Sequence, residues 1–385
     1  MFDEFMIQIG FSEDEIEVIK STYPLNQTLD ATLLFNVKNL YHYLQRNGFT
    51  NQDFISIIKK IPVLISMSIE HIKLKILDLG DFGFHKLEAF QMIKNYPMIL
   101  DYSKVKIRNK LLKLQDIGMD QKSIHQLFVN DSSMISIDTS KIQKRMIFLE
   151  EYGYQLDQIN HILSFCPILI HQTISSLNDQ LRRFQEMGFC QKDIIKISSY
   201  LPKILLWDEE MVETQFNDFL EFGFVERDII DIIKKIPIIL QEYYFSKIRE
   251  KLSHLEEIGF SRINIISFIK KNPYILLYST LSISSKVEGL EKINFSHSEV
   301  LTLLSRNPFL FGYDIHTIEE RLEFLIPFLS KSELIENPSI LQYSYDLLKE
   351  RFDFLNKASS FQDVSDLFLR EDIFLKKYPN YKDVK

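Results

Sequence analysis

The feature that most constrains this chain is a period. Pro62, Pro97, Pro167, Pro202, Pro237, Pro273 and Pro308 form a series spaced by 35 residues, once 36, with Ser132 standing in its single gap. Fourteen residues before each position is a glycine (Gly48, Gly83, Gly118, Gly153, Gly188, Gly223, Gly259), with Asn294 as the one exception. Gly10 and Pro24 keep the same offset. A fixed period in this range signals stacked supersecondary units, none of which buries its apolar face alone.

The period decides how each segment reads. "GFVERDIIDIIKKIPIILQEYY", Gly223 to Tyr244, has the isoleucine content of a buried strand but an internal proline that no central strand accepts. Glycine and asparagine enter the left-handed conformation that ends a helix, so each marks a C-terminus. The aromatic residue or Met that follows (Phe49, Phe84, Met119, Tyr154, Phe189, Phe224, Phe260, Phe295) packs under that turn. Ser12 with Glu15, Thr50 with Asp53 and Ser296 with Glu299 read as capping pairs opening a second helix. Ile229, Ile232, Ile233 and Ile236 keep helical spacing within it. Proline then stops it, and a short apolar tail turns into the core. Six residues past the proline position, Ser68, Ser103, Asp138, Thr173, Asp208, Ser279 and Asp314 read as N-caps of the next long helix, with Tyr243 as the misfit.

The expected fold is all-α: a curved α-solenoid of about nine tandem repeats in a superhelical half-ring, one domain over residues 1–385. Repeats occupy about 10–355, the last shortened because Pro338 follows Pro308 by 30 residues, and 356–385 form an amphipathic cap.

Gly-Phe, a capped Ile-rich helix, Pro-x-Ile-Leu and a Ser-capped helix with Lys-Leu at its middle resemble the repeat of the mitochondrial transcription termination factor (mTERF) family. "GFTNQDFISIIKKIPVLISMSIEHIKLKILDL" (Gly48 to Leu79) carries the whole signature, and "GFSRINIISFIKKNPYILLYSTLSISSKVEGL" (Gly259 to Leu290) nearly all of it. The resemblance implies a solenoid whose concave surface holds nucleic acid, double-stranded DNA before RNA, in mitochondria or plastids. It also implies a role in transcription termination or another step of organelle gene expression.

Each repeat turns one position into a line. Eight residues before each Gly from Gly83 on, or its equivalent, stand Lys75, Lys110, Arg145, Gln180, Gln215, Lys251, Lys286 and Arg321, and Arg351 continues the series. Seven of the nine are basic and none is acidic, which reads either as a row of phosphate contacts or as a packing face between units. On the first reading, Glu at Lys110, Arg145, Lys251 and Arg321 together removes binding and leaves the fold intact. A second basic set (Lys59, Lys60, Lys94, Lys234, Lys235, Lys270, Lys271, Arg306) sits in last helical turns, where cations complement the helix dipole. Both sets thin out near the chain's centre, where Tyr200, Trp207 and Tyr243 suggest base stacking, although most of the 31 Phe and 17 Tyr belong to the core.

Net charge is −8, and seven acids against Lys20 in residues 1–35 supply most of it. That segment is a possible contact for a protein partner, or a shield over the nucleic-acid groove. A protein-binding scaffold without nucleic-acid binding is the alternative function. No apolar run reaches the ~18 to 20 residues of a membrane span. Cys166 and Cys190 form neither a disulfide framework nor a metal cluster. "MFDEFMIQIG" lacks the basic character of a targeting leader, which leaves a cytoplasmic location open. No phosphate loop, nucleophile elbow or zinc motif is present, so the expectation is a monomeric, non-enzymatic protein with no cofactor and no metal.

Overall fold

The computed structural model describes residues 1–22, 27–293, 295–357 and 364–383. Pro24 and Asn294, both members of the periodic series, lie outside them, as does the side chain of Gln215. Among the described residues the chain is helical throughout, with 23 α-helices, short 3₁₀ segments and no strand. It is a tandem helical-repeat solenoid, as the period predicts, and it divides into two compact units, Met1–Leu206 and Trp207–Lys385.

One repeat shows how the sequence builds the others. The short helix Asn51–Lys60 opens on a complete capping box between Thr50 and Asp53. Ile61, forced out of the helical region by the proline after it, has φ −136° and ψ 75° and starts the 3₁₀ turn Pro62–Ser66. That turn buries Leu64 and Ile65 and delivers the chain to the long helix Ile69–Gly80. The same order recurs in the second unit as Glu226–Lys235, Pro237–Leu240 and Ile248–Ile258. All eight glycines of the series, including Gly10, have positive φ, between 86° and 118°. The residue after each is buried, so the turn is both left-handed and anchored.

Deviations from the pattern have local causes. At Ser132 the 3₁₀ turn survives without proline: the buried hydroxyl donates to the Phe128 carbonyl at 3.0 Å, and the Asp131 carboxylate accepts from Ser133 N. Where Tyr243 replaces a capping residue, a four-residue helix, Glu242–Phe245, is inserted and the long helix starts only at Ile248. Ser103, Asp138, Thr173, Asp208, Ser279 and Asp314 accept backbone N–H groups as expected, whereas Ser68 occupies the N-cap without a side-chain bond. The C-terminal segment is a truncated repeat. Glu371–Lys377 ends at Tyr378 and passes through Pro379 into another 3₁₀ turn, with the rings of Tyr378 and Tyr381 each 5.0 Å from that of Phe374.

Candidate nucleic-acid interface

The cationic ladder lies inside the repeat stack. Lys110, Arg145, Gln180, Lys251, Lys286, Arg321 and Arg351 are buried, and Lys75 is half-buried. Each reaches out of its long helix to a backbone carbonyl at or beyond the 3₁₀ turn of the following unit. Lys75 Nζ donates to Tyr102 O at 2.8 Å. Lys110 donates to Ile137 O, Arg145 to Gln172 O, Lys251 to Leu276 O, Lys286 to Tyr313 O and Arg321 to Leu341 O. Gln180 makes the same contact with Ile204 O at 3.5 Å. Arg351 clamps two carbonyls, Leu367 O at 3.0 Å and Leu369 O at 2.6 Å, with its guanidinium 4.4 Å from the centre of the Phe374 ring.

The absence of acids from this column follows from that geometry. The last carbonyls of a 3₁₀ turn carry unsatisfied partial negative charge, and only a donor at the ladder position answers it. Of the two sequence readings, placement therefore supports the packing face for the described ladder residues. A row of phosphate contacts has to be sought among exposed cations.

Burial without a carboxylate partner disfavours the charged form of these lysines. It pushes Lys110 down to about 8, and it lowers Lys251 and Lys286 as well. In the unfolded chain Lys110 returns to about 10.4. Between these values the unfolded state binds the extra proton, so the contribution of Lys110 to stability rises with pH. Burial raises the Cys166 thiol to about 11 and acts in the opposite sense over much of the same range. The expected result is thus a difference: the stability of wild type minus that of Lys110→Met climbs between about pH 8 and 10.4 and is flat below. Paired urea titrations across that range measure it.

Seven of the eight cations of the second basic set fall into two groups. Lys59, Lys94 and Lys270 pair with acids of the preceding unit's short helix: Lys59 with Glu15, Lys94 with Asp53 at 2.8 Å and Lys270 with Asp228 at 2.8 Å. These are further clamps between units. The residue one position on, the last of each short helix, faces outward: Lys60, Lys235, Lys271 and Arg306 are exposed.

Those exposed ends belong to a stripe that inspection of a single column misses. Positions four, eight and twelve after each Gly, or after Asn294, share one face of the short helix. They carry Lys60, Lys122, Lys192, Lys196, Arg227, Lys235, Lys271 and Arg306 against only Asp14, Asp157 and Asp231. The remaining places are mostly amides and hydroxyls, such as Gln91, Asn95, Gln126 and Thr302, together with Phe165 and Tyr200, each about half exposed at 50% and 52%. Lys60, Lys122, Lys192, Arg227 and Lys271 have no carboxylate partner among the described residues. The signal that would have found the stripe is the i, i+4, i+8 spacing of one outward helix face, counted across repeats.

The long helices of the second unit present the opposite balance. Their exposed positions carry Glu210, Glu221, Glu250, Glu257, Glu288, Glu320, Glu323, Asp346, Glu350 and Asp353 against Arg249, Lys292, Lys349 and Lys357. A net charge of −8 coexists with a basic, polar short-helix face because residues 1–35, with seven acids against Lys20, supply most of it.

Among the described residues, no group of three or more His, Cys, Asp or Glu is placed to hold a metal, and no helix is long and apolar enough to cross a membrane. Fold and surface together define a class: a tandem helical-repeat protein whose short helices carry exposed basic and polar residues in each unit. The mTERF family model matches residues 4–242 and 219–366, and the chain belongs to the mTERF family. Comparison with curated proteins gives no significant match.

Proposed function

We propose that this protein is a non-enzymatic, nucleic-acid-binding regulator of gene expression that holds its target, double-stranded DNA before RNA, against the short-helix stripe. The observation that carries the reading is the eight-to-three excess of cations on that face in a chain that is acidic overall. Phosphates reward clustered exposed Lys and Arg, and interleaved amides and hydroxyls supply neutral donors to phosphate, sugar and base edges. Tyr200 and Phe165 add exposed rings on the same stripe, where an unpaired base could stack.

The ladder from Lys75 to Arg351 enters this function indirectly. By tying the long helices that bear its described residues to the turn of the next unit, it fixes the spacing at which successive stripe cations are presented. Family membership makes a mitochondrion or plastid the proposed compartment and transcription termination one of the steps it could control.

The test is the salt dependence of binding to a random-sequence duplex. Engagement of about five stripe cations predicts a slope of log K against log salt near −4 to −5. A slope near zero, or no retention on duplex DNA at low salt, overturns the reading in favour of a scaffold that binds only protein.

A further inference from the structure

Two neighbouring short helices of the first unit carry the same pair of amides on the stripe. Gln91 and Asn95 stand on Lys86–Asn95, and Gln126 and Asn130 on Gln121–Asn130, eight and twelve residues after Gly83 and Gly118. In each pair the Gln Nε2 donates to the Asn Oδ1, at 3.1 Å and 3.0 Å. The second pair is anchored at a further point, because Asn130 Nδ2 donates to the Ser164 carbonyl of the following repeat at 2.8 Å. A carbonyl only accepts, so it sets which way the Asn130 amide faces and leaves Oδ1 to receive Gln126. That bond in turn orients the Gln126 amide and occupies one of its two N–H groups. The other N–H and Oε1 have no protein partner among the described residues, and the same is true of Gln91. A Gln–Asn pair four residues apart steadies a helix by itself, but that role needs no anchor on the next repeat. The pattern stops one repeat later, where His161 and Phe165 take the two places with ring centres 4.5 Å apart.

We propose that Gln126 and Gln91 read adenine at the major-groove edge of B-form DNA, so that the first unit supplies sequence preference while the stripe cations supply affinity. This assignment rests on the stripe holding duplex DNA. The free edge of each amide presents one donor beside one acceptor. Adenine alone offers the complement, its N6 amino donor beside the N7 acceptor. Guanine offers two acceptors there, cytosine a donor, and thymine an acceptor with a methyl group. Phosphate oxygens only accept, and would leave Oε1 idle against negative charge. Lys122, one turn before Gln126 on the same face and without a carboxylate partner among the described residues, is the phosphate contact that sets the register. An amide already oriented by Asn130 also loses less rotamer freedom on binding than a free glutamine does. The two short helices pack against each other. At the ~8–10 Å that separates packed helices and about 3.4 Å per base pair, the two adenines lie roughly two or three base pairs apart. Double-stranded RNA, whose deep and narrow major groove excludes side chains, is not read in this way.

The probe is a DNA duplex pool randomised over about 20 base pairs, roughly two helical turns. Rounds of selection on immobilised wild type should enrich two adenine positions at that spacing. Selection on Gln126→Leu should lose one of them, and selection on Gln91→Leu/Gln126→Leu should lose both. In the enriched duplex, 7-deazaadenine removes the N7 acceptor and keeps the base-pairing edge. At either position it should weaken wild-type binding about tenfold and leave the affinity of the double variant unchanged. Gln126→Glu keeps the size of the side chain but presents acceptors only, so it should exchange adenine for cytosine at its position. Both glutamines lie on the outward face of their helices, and unchanged melting curves confirm folding. Adenine positions that persist in the double variant, or an equal 7-deazaadenine penalty in both proteins, overturn the reader assignment and leave the nucleic-acid reading standing. Retention of the pool with no enriched position does the same. No retention by wild type at low salt overturns the nucleic-acid reading itself, and the assignment falls with it.

Discussion

Glu at Lys110, Arg145, Lys251 and Arg321 together is expected to unfold the chain rather than leave a folded protein that has lost its ligand. All four are buried donors to carbonyls of the following unit. Reversal removes the donor and sets a carboxylate against the carbonyl oxygen, both desolvated. Breaking a buried charged interaction on one side costs about 3–5 kcal/mol, and whole-domain stability is about 5–15 kcal/mol, so four such changes exceed what the fold holds. The loss should be graded by position. Lys75→Glu is mildest, because that residue is half-buried and its substituted side chain can turn to water. Arg351→Glu is the harshest single change, since Arg351 is 1% exposed, holds two carbonyls and lies over Phe374. Circular dichroism and urea titration read this directly. A quadruple variant that melts like wild type and loses only duplex binding would show that the row faces solvent, and the clamp account would fail.

That expectation shows where sequence stopped being sufficient. The periodic Gly and Pro fix the turns through backbone sterics, which act locally, so helix ends, caps and repeat order were legible from residue types alone. Even Tyr243 announced its irregularity by being a poor cap. The ladder was equally visible as a column, but its meaning was not, because burial depends on which side of the long helix meets the next unit. A column of cations without acids has two physical sources: a polyanion in solvent, or backbone carbonyls lacking donors. Both select the same residues, and only the direction of the side chain separates them. The short-helix stripe failed to register for the converse reason. No single one of its columns is uniformly basic: one runs Gln52, Leu87, Lys122, Asp157, Lys192, Arg227, and the last of the three runs Lys60, Asn95, Asn130, Phe165, Tyr200, Lys235. A mobile ligand needs charge on a face rather than at a fixed place in every repeat, so function tolerates irregularity that packing forbids.

Charge reversal on the stripe separates the two roles. In Lys60→Glu/Lys122→Glu/Lys192→Glu/Lys271→Glu the substituted residues are exposed and lack carboxylate partners among the described residues, so each change should move stability by no more than about 0.5 kcal/mol. Binding should respond far more strongly. Each phosphate contact contributes about 0.9 to the salt slope, so losing four lowers it by roughly 3 to 4 and reduces affinity at low salt by about a hundredfold or more. Carboxylates in those places repel the same backbone, and the loss should therefore be larger than that of the four Ala substitutions. Because these residues belong to neither set of inter-unit clamps, the melting transition and the urea midpoint should stay with wild type. A folded quadruple variant with the wild-type slope would place the phosphate contacts off the short helices. The reading would survive a smaller loss only if the slope fell in proportion, since a change in affinity without a change in slope reports altered shape, not lost ionic contacts.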